Sequence, residues 1–322
     1  MPSPGPDEAL VRTIVAGVCG SDLHAARGHH PFVPLPYRPG HEVGGVIEAV
    51  GSAVTSAAPG QRVIVEPDLP CWACKMCTTR RENLCENLQF FGCGYPQGGM
   101  ADYFTLAARR LHPVPDTLDD QTAALIEPLS TPVHAVRLAG DVTGRDVAVL
   151  GAGTIGLFTL AVLRAHGAGT VVITDPNPAK RELAAALGAD AAIDAGAPDA
   201  AGQLRQVLGG SADVVFDCVC VQSSVDQAIA MADKGGTVMV VGVPAREVTV
   251  PLPIVQDHQI RIQGSATYLP EDYQESAGLL GRGDVRAADF VTATRPLDHV
   301  AEAFELAWSG NHVKVLITAG GR

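Results

Sequence analysis

Long uncharged apolar runs are missing from this chain. No stretch approaches the roughly 18 residues that a membrane-crossing helix needs, so no span is expected. The opening MPSPGPDEAL has neither a basic nor an apolar segment and does not read as a secretion signal. Positive charge is also scarce: 23 Lys and Arg stand against 35 Asp and Glu, a net charge of −12. That argues against nucleic acid as a partner, because phosphate binding needs a basic footprint. The expected location is the cytoplasm. Cysteine, by contrast, is present eight times, and four of the eight crowd into Cys71–Cys85. Without a secretion signal, such crowding reads as metal ligation before disulfides. At 322 residues, 47% hydrophobic and 18% charged, the chain is long and apolar enough for two ordinary domains.

The most informative stretch is 147–175. A short apolar run, Val147 to Leu150, has strand length. Gly151, Gly153 and Gly156 follow in G-x-G-x-x-G spacing. A helix is expected from near Thr154 through Ile155 to Arg164, then a strand over Thr170–Thr174, ending at Asp175. This is the order a dinucleotide site requires. Gly151 permits the tight turn, Gly153 lets backbone approach a pyrophosphate, and Gly156 lets helix and strand pack closely. The pyrophosphate would sit on the unpaired N–H groups at the helix start. Asp175 follows Gly151 by 24 residues. Its carboxylate can accept two ribose hydroxyls and would repel a 2′-phosphate, which favours NAD over NADP. Lys180 and Arg181 weaken that preference slightly. Strands and helices keep alternating to Ile260–Gln263, which predicts an α/β, doubly wound parallel sheet with its ligand at the carboxyl ends of the strands.

The N-terminal third carries candidate metal ligands. Cys71, Cys74, Cys77 and Cys85 stand in C-x2-C-x2-C-x7-C spacing. Four thiolates closing a tetrahedron around zinc leave no open position, so that site would staple a loop. An iron–sulfur cluster is the rival reading; ligand number, closeness and a second candidate zinc site nearby favour zinc. Cys19 follows the strand Glu8–Ala16 and precedes an expected turn. His41 and Glu42 stand between Pro39-Gly40 and a strand over Val43–Val50. On a regular strand these two neighbours would point to opposite faces, so they converge on one ion only if the chain bends there. Taken alone, Cys19 reads as a small buried residue and His41 as a structural histidine. Spacing by itself does not join them. Cys218 and Cys220 read as packing residues; Tyr268 and Arg295 are candidate cleft residues, though each reads first as an ordinary surface or packing residue. Cys93 lies in the Gly-rich loop QFFGCGYPQGGMADY, a candidate border of the substrate cleft or else a plain turn.

GVCGSDLH, PGHEVGG, the four-cysteine loop, Ile126-Glu127-Pro128-Leu129-Ser130 and GAGTIG occur in that order. In this the chain resembles the zinc-dependent medium-chain alcohol dehydrogenases, and within them the polyol branch of sorbitol, threonine and butanediol dehydrogenases. The resemblance runs from Pro4 to Thr318. It implies a mainly β GroES-like catalytic domain over residues 1–127, a Rossmann NAD-binding domain over 128–264, and a C-terminal return over 265–322 that completes the first. It implies two zinc ions per subunit, one catalytic and one structural. Cys19 and His41 match the catalytic ligands, with Glu42 or Glu127 as the third. Ser21 matches the hydroxyl that takes the substrate proton, His24 the group that relays it to solvent, and Asp22 the acid that orients the ligand histidine. Val241 and Val243 resemble the nicotinamide-side loop, and nicotinamide and zinc would meet in the cleft between the domains.

The implied activity is NAD-dependent oxidation of a secondary alcohol in a polyol, cyclitol or diol, with zinc as Lewis acid. The alternative enzyme is L-threonine 3-dehydrogenase, and the alternative of another class is a non-catalytic NAD-binding protein. Relatives suggest a homo-oligomer, dimer or tetramer. One departure stands out. The family has about twenty more residues before the segment matching Pro4, forming a strand pair. Without that pair, the strand over Glu8–Ala16 is expected to expose an edge.

Overall fold

The computed structural model describes residues 1–319. The chain forms two compact units, Met1–Ser130 together with the segment from Leu269 on, and Thr131–Tyr268. The expected divisions at 127 and 264 each shift by a few residues. The first falls inside one unbroken helix, Ile126–Ala139, which the motif at Ile126–Ser130 merely begins.

The first unit is built on strands β1 (Glu8–Val18), β2 (Val43–Val50), β3 (Arg62–Val65), β4 (Tyr103–Ala107) and β5 (Leu111–Pro113). Helix α1 (Gly20–Ala26) follows β1 directly, where only a turn was expected. Helix α2 is Ile126–Ala139.

The second unit alternates strictly. Its elements are β6 (Val147–Leu150), α3 (Thr154–Ala165), β7 (Val171–Thr174), α4 (Pro178–Ala186), β8 (Ala191–Ile193) and α5 (Ala200–Leu208). They continue with β9 (Ala212–Asp217), α6 (Gln222–Met231), β10 (Ala232–Val240), α7 (Leu252–Asp257) and β11 (Arg261–Gly264). The chain then returns to the first unit with α8 (Pro270–Arg282), β12 (Val291–Pro296), α9 (Val300–Trp308) and β13 (Lys314–Thr318).

In the first unit the order is β12-β13-β1-β2-β3-β5, with β4 also on β1. β1 is long enough to serve two neighbours along one side. Glu8–Arg12 pair with β4, and Val15–Val18 pair with β13. β2 covers the other side from Ala9 to Ala16. The exposed edge expected on this strand is therefore not found: β4 and β13 pair along one side of it and β2 along the other. The core between these strands is aliphatic and aromatic, with Val11, Ile47, Val63, Phe91 and Phe104 fully buried.

In the second unit the order is β8-β7-β6-β9-β10-β11, and every pairing is parallel. All four residues of β6 and of β7 are buried, as strands covered on both faces must be. The chain turns from one half of the sheet to the other between β6 and β9, so the switch point lies at their carboxyl ends. Gly151 sits there with φ +93°, and a Cβ on Gly156 would overlap the Gly151 carbonyl oxygen. Helix α3 can reach β6 only because that Cβ is missing. Gly156→Ala is expected to cost about 1–3 kcal/mol through overpacking against rigid backbone. A urea midpoint equal to that of the wild type would contradict this.

Candidate metal centre and dinucleotide turn

Register brings the first group of residues together. β1 lies between β2 and β13, with Ala16 opposite Val43 and Val18 opposite Val315. Continuing each pairing by one residue places Glu42 beside Gly17 and Lys314 beside Cys19. The Gly17 N–H donates to the Glu42 carbonyl at 2.7 Å. A Cβ on Gly17 would overlap the Glu42 carboxylate, so glycine makes the room. His41 and Glu42 form a bend ahead of β2, which is how neighbouring residues turn to one place. One donor atom each from Cys19, His41 and Glu42 lie within 4.8 Å of one another. All three are the right chemistry for zinc: a thiol, an imidazole and a carboxylate. Glu127, the other expected third ligand, is buried in the first turn of α2 and lies outside that group.

Asp22 is fully buried. Its Oδ2 accepts the Cys19 N–H at 3.1 Å, fixing the start of α1, and its Oδ1 lies 3.6 Å from His41 Nδ1. Burial raises its pKa to about 6, even though His41 pulls the other way. Burial also opposes a charge on His41, but Asp22 and Cys93 outweigh it and hold the imidazole well above its ordinary range. Cys93 Sγ stands 3.6 Å from the same Nδ1, and the Phe90 ring packs edge-on against His41 at 5.6 Å. Ser21 is half-buried and His24 exposed; three apart on α1, they share a helix face. The His24 ring meets Trp308 edge-on at 6.1 Å.

Sequence reasoning passed over Lys314. It is fully buried, and its Nζ lies 2.7 Å from both oxygens of Glu42. The signal was there: a single lysine inside the apolar run VKVLIT.

The second group is the four-cysteine loop. Cys74 Sγ lies 3.5 Å from Cys77 Sγ and 3.9 Å from Cys85 Sγ. A tetrahedron of zinc–sulfur bonds has edges of about 3.8 Å, so the donor set fits a zinc ion. The N–H groups of Cys71 and Asn87 point at Cys85 Sγ. Backbone N–H donation from Ala73 and Cys74 draws the Cys71 thiol down to about 6. Desolvation and the Cys74 sulfur push Cys77 up to about 12. Four sulfurs this close cannot all ionise without a cation among them. Trp72, in left-handed backbone at φ +60°, ties the loop down by lying under the Arg109 guanidinium at 4.3 Å.

The third group belongs to the second unit. Gly153 is the N-cap of α3, and nothing lies within 4 Å of where its Cβ would be. Open space in front of a helix start suits a pyrophosphate. Thr154 and Ile155 are half-buried in the first turn. Asp175 Oδ2 accepts the Ala152 N–H at 2.9 Å and its Oδ1 the Asn177 N–H at 2.8 Å, so the acid is locked beside the glycine turn. Arg181 donates to the Asp175 and Pro176 carbonyls at 2.7 and 2.9 Å, which turns its charge toward the backbone. Val241 is buried, its N–H on the Asp217 carbonyl, while Val243 is more than half exposed.

Comparison with known proteins gives the family. Residues 5–116 match the alcohol dehydrogenase GroES-like domain, and residues 154–282 the zinc-binding dehydrogenase domain. The chain is 35% identical over 306 residues to L-galactonate-5-dehydrogenase of Escherichia coli K12, covering 95% of this chain and 89% of that protein. It is 32% identical to sorbitol dehydrogenase of Bacillus subtilis, covering 97% and 90%. Among solved structures, a zinc-binding dehydrogenase of Sinorhizobium meliloti 1021, bound to NADP, superposes with a TM-score of 0.91 at 34% identity, covering 98% of this chain and 93% of that one. Relatives of this length and identity, together with both domain matches, make the chain a member of the zinc-dependent medium-chain alcohol dehydrogenase family, on its polyol side.

Proposed function

We propose that this chain oxidises a secondary alcohol of a polyol, cyclitol or diol to the ketone, reversibly, with NAD. The observation that carries the reading is the convergence of Cys19, His41 and Glu42 at the end of β1, in a chain whose other unit opens a helix on a G-x-G-x-x-G turn. Bound zinc supplies a Lewis acid that makes a substrate hydroxyl acidic near neutral pH, and bound nicotinamide supplies the hydride acceptor. Cys19 and His41 hold the metal, with Glu42 or Glu127 the third ligand. Asp22, buried beside His41 Nδ1, keeps the ring in one tautomer and orientation. Ser21 takes the hydroxyl proton, and His24, on the same helix face and open to solvent, passes it out. Cys71, Cys74, Cys77 and Cys85 hold a second zinc that staples their loop.

Gly151, Gly153, Thr154, Ile155 and Gly156 cradle the pyrophosphate; Asp175 binds the adenosine ribose; Val241 and Val243 flank the nicotinamide. The Sinorhizobium relative is bound to NADP, so cofactor choice rests here on Asp175 and on the backbone engagement of Arg181.

Two coarser features extend the reading. None of the eight cysteines is paired in a disulfide, which suits the reducing cytoplasm. β11 ends its sheet, pairing with β10 alone among the described residues, and Ile262 on it is 40% exposed. Such an edge is covered when a second copy pairs with it across a twofold axis, so the working form is a homo-oligomer.

A panel of sorbitol, inositols, 2,3-butanediol, L-galactonate and threonine, read at the NAD(P)H absorbance band, tests the reaction. Turnover of a polyol or diol with NAD is expected. Turnover with NADP alone would overturn the role of Asp175, and turnover of threonine alone would favour the threonine reading. Cys19→Ser is expected to abolish turnover while nucleotide binding, followed by NADH fluorescence, persists. Full activity in that variant would remove the metal centre from the chemistry.

A further inference from the structure

Lys314 needs a reason to be where it is. Burying an ammonium is costly, and an apolar residue of similar volume in its place would often be no less stable. The groups its Nζ meets are all acceptors. Nζ lies 2.7 Å from each Glu42 oxygen and 3.4 Å from the Val18 carbonyl. By register Lys314 also stands opposite Cys19, so it lies beside two of the residues considered as ligands. From this we infer that Lys314 is a positioning residue that clamps the Glu42 carboxylate and loosens the grip of the Cys19/His41 centre on its metal. The inference rests on the proposed reading of that centre as a metal site.

The physical argument is competition. A carboxylate has about four lone-pair positions. Lys314 takes one on each oxygen and draws electron density toward its own charge. Glu42 then meets a divalent ion as a weaker donor, and the ion meets a fixed positive charge close by. Both effects favour looser binding. They also leave the centre less neutralised than a bare thiolate and carboxylate would make it, which is what a Lewis acid requires. A role in stability alone predicts the opposite result on mutation: breaking a buried pair disorders Glu42 and lets metal escape faster.

The test is zinc release from the holoprotein to a chromogenic chelator. Cys19→Ser identifies the phase that belongs to this centre, since it leaves the four-cysteine loop intact. In Lys314→Met that phase is expected to slow by about tenfold, the size of effect outer-shell groups have on a metal site but here of opposite sign, because Lys314 competes with the metal instead of supporting its ligand. Lys314→Gln keeps a hydrogen-bond donor for Glu42 without the charge, and is expected to slow release as well should the methionine variant fold poorly. Lys314→Arg, which keeps the charge, should release zinc at nearly the wild-type rate. An unchanged or faster phase in both neutral variants would overturn the inference while sparing the metal-site reading. Absence of any Cys19-dependent phase would overturn both.

Discussion

The candidate metal centre of this protein depends on three neighbouring strands meeting in register. β13, β1 and β2 lie side by side, and the end of β1 is where Cys19, His41, Glu42 and Lys314 come together. None of these residues is close in sequence to all the others; Lys314 and Glu42 are 272 residues apart. A slip of one residue in either pairing would turn Glu42 or Lys314 to the opposite face. Gly17 is the small detail that makes the arrangement possible, because any side chain there would take the space of the Glu42 carboxylate. The return of the chain to the first unit is therefore part of the site as well as of the fold.

Charge is the second theme. Around Cys19 the protein buries two acids, Asp22 and Glu42, one histidine and one lysine, with Glu127 close enough to act on the lysine. Such a set is expensive unless each member is answered. Asp22 is answered by the start of α1 and by His41, Glu42 by Lys314. The four-cysteine loop shows the same logic with sulfur: its thiols crowd to ligand distance and are steadied by backbone N–H groups. In the second unit the polar work is done by backbone, with Asp175 pinned by two N–H groups beside an open helix start.

Much of this was legible in the sequence, for local reasons. The glycine turn and its flanking strands are consecutive, so Val147–Asp175 could be read directly, and β6 has the bounds expected of it. The four cysteines are likewise a local motif. The bend at His41 could be anticipated from Pro39-Gly40. What escaped was long-range. Lys314 stands in a strand, where a lone lysine ordinarily marks the solvent face; only its distant partner shows otherwise. Cys93 was placed in a loop that could border the cleft, but nothing local showed that the loop brings its thiol to His41. Helix α1 was missed because it is short and begins at Gly20, where glycine signals a turn. The free edge expected on β1 was an error of the same kind: pairing by β4 and β13 cannot be seen without knowing where those distant strands return.

The central claim is that Cys19 and His41 hold a metal distinct from the one in the cysteine loop. Elemental analysis of purified protein, beside its Cys19→Ser variant, tests it most directly. The account predicts two zinc ions per subunit in the wild type and one in the variant, in keeping with one open and one closed ligand set. One zinc in both proteins, held by the four thiols alone, would contradict it.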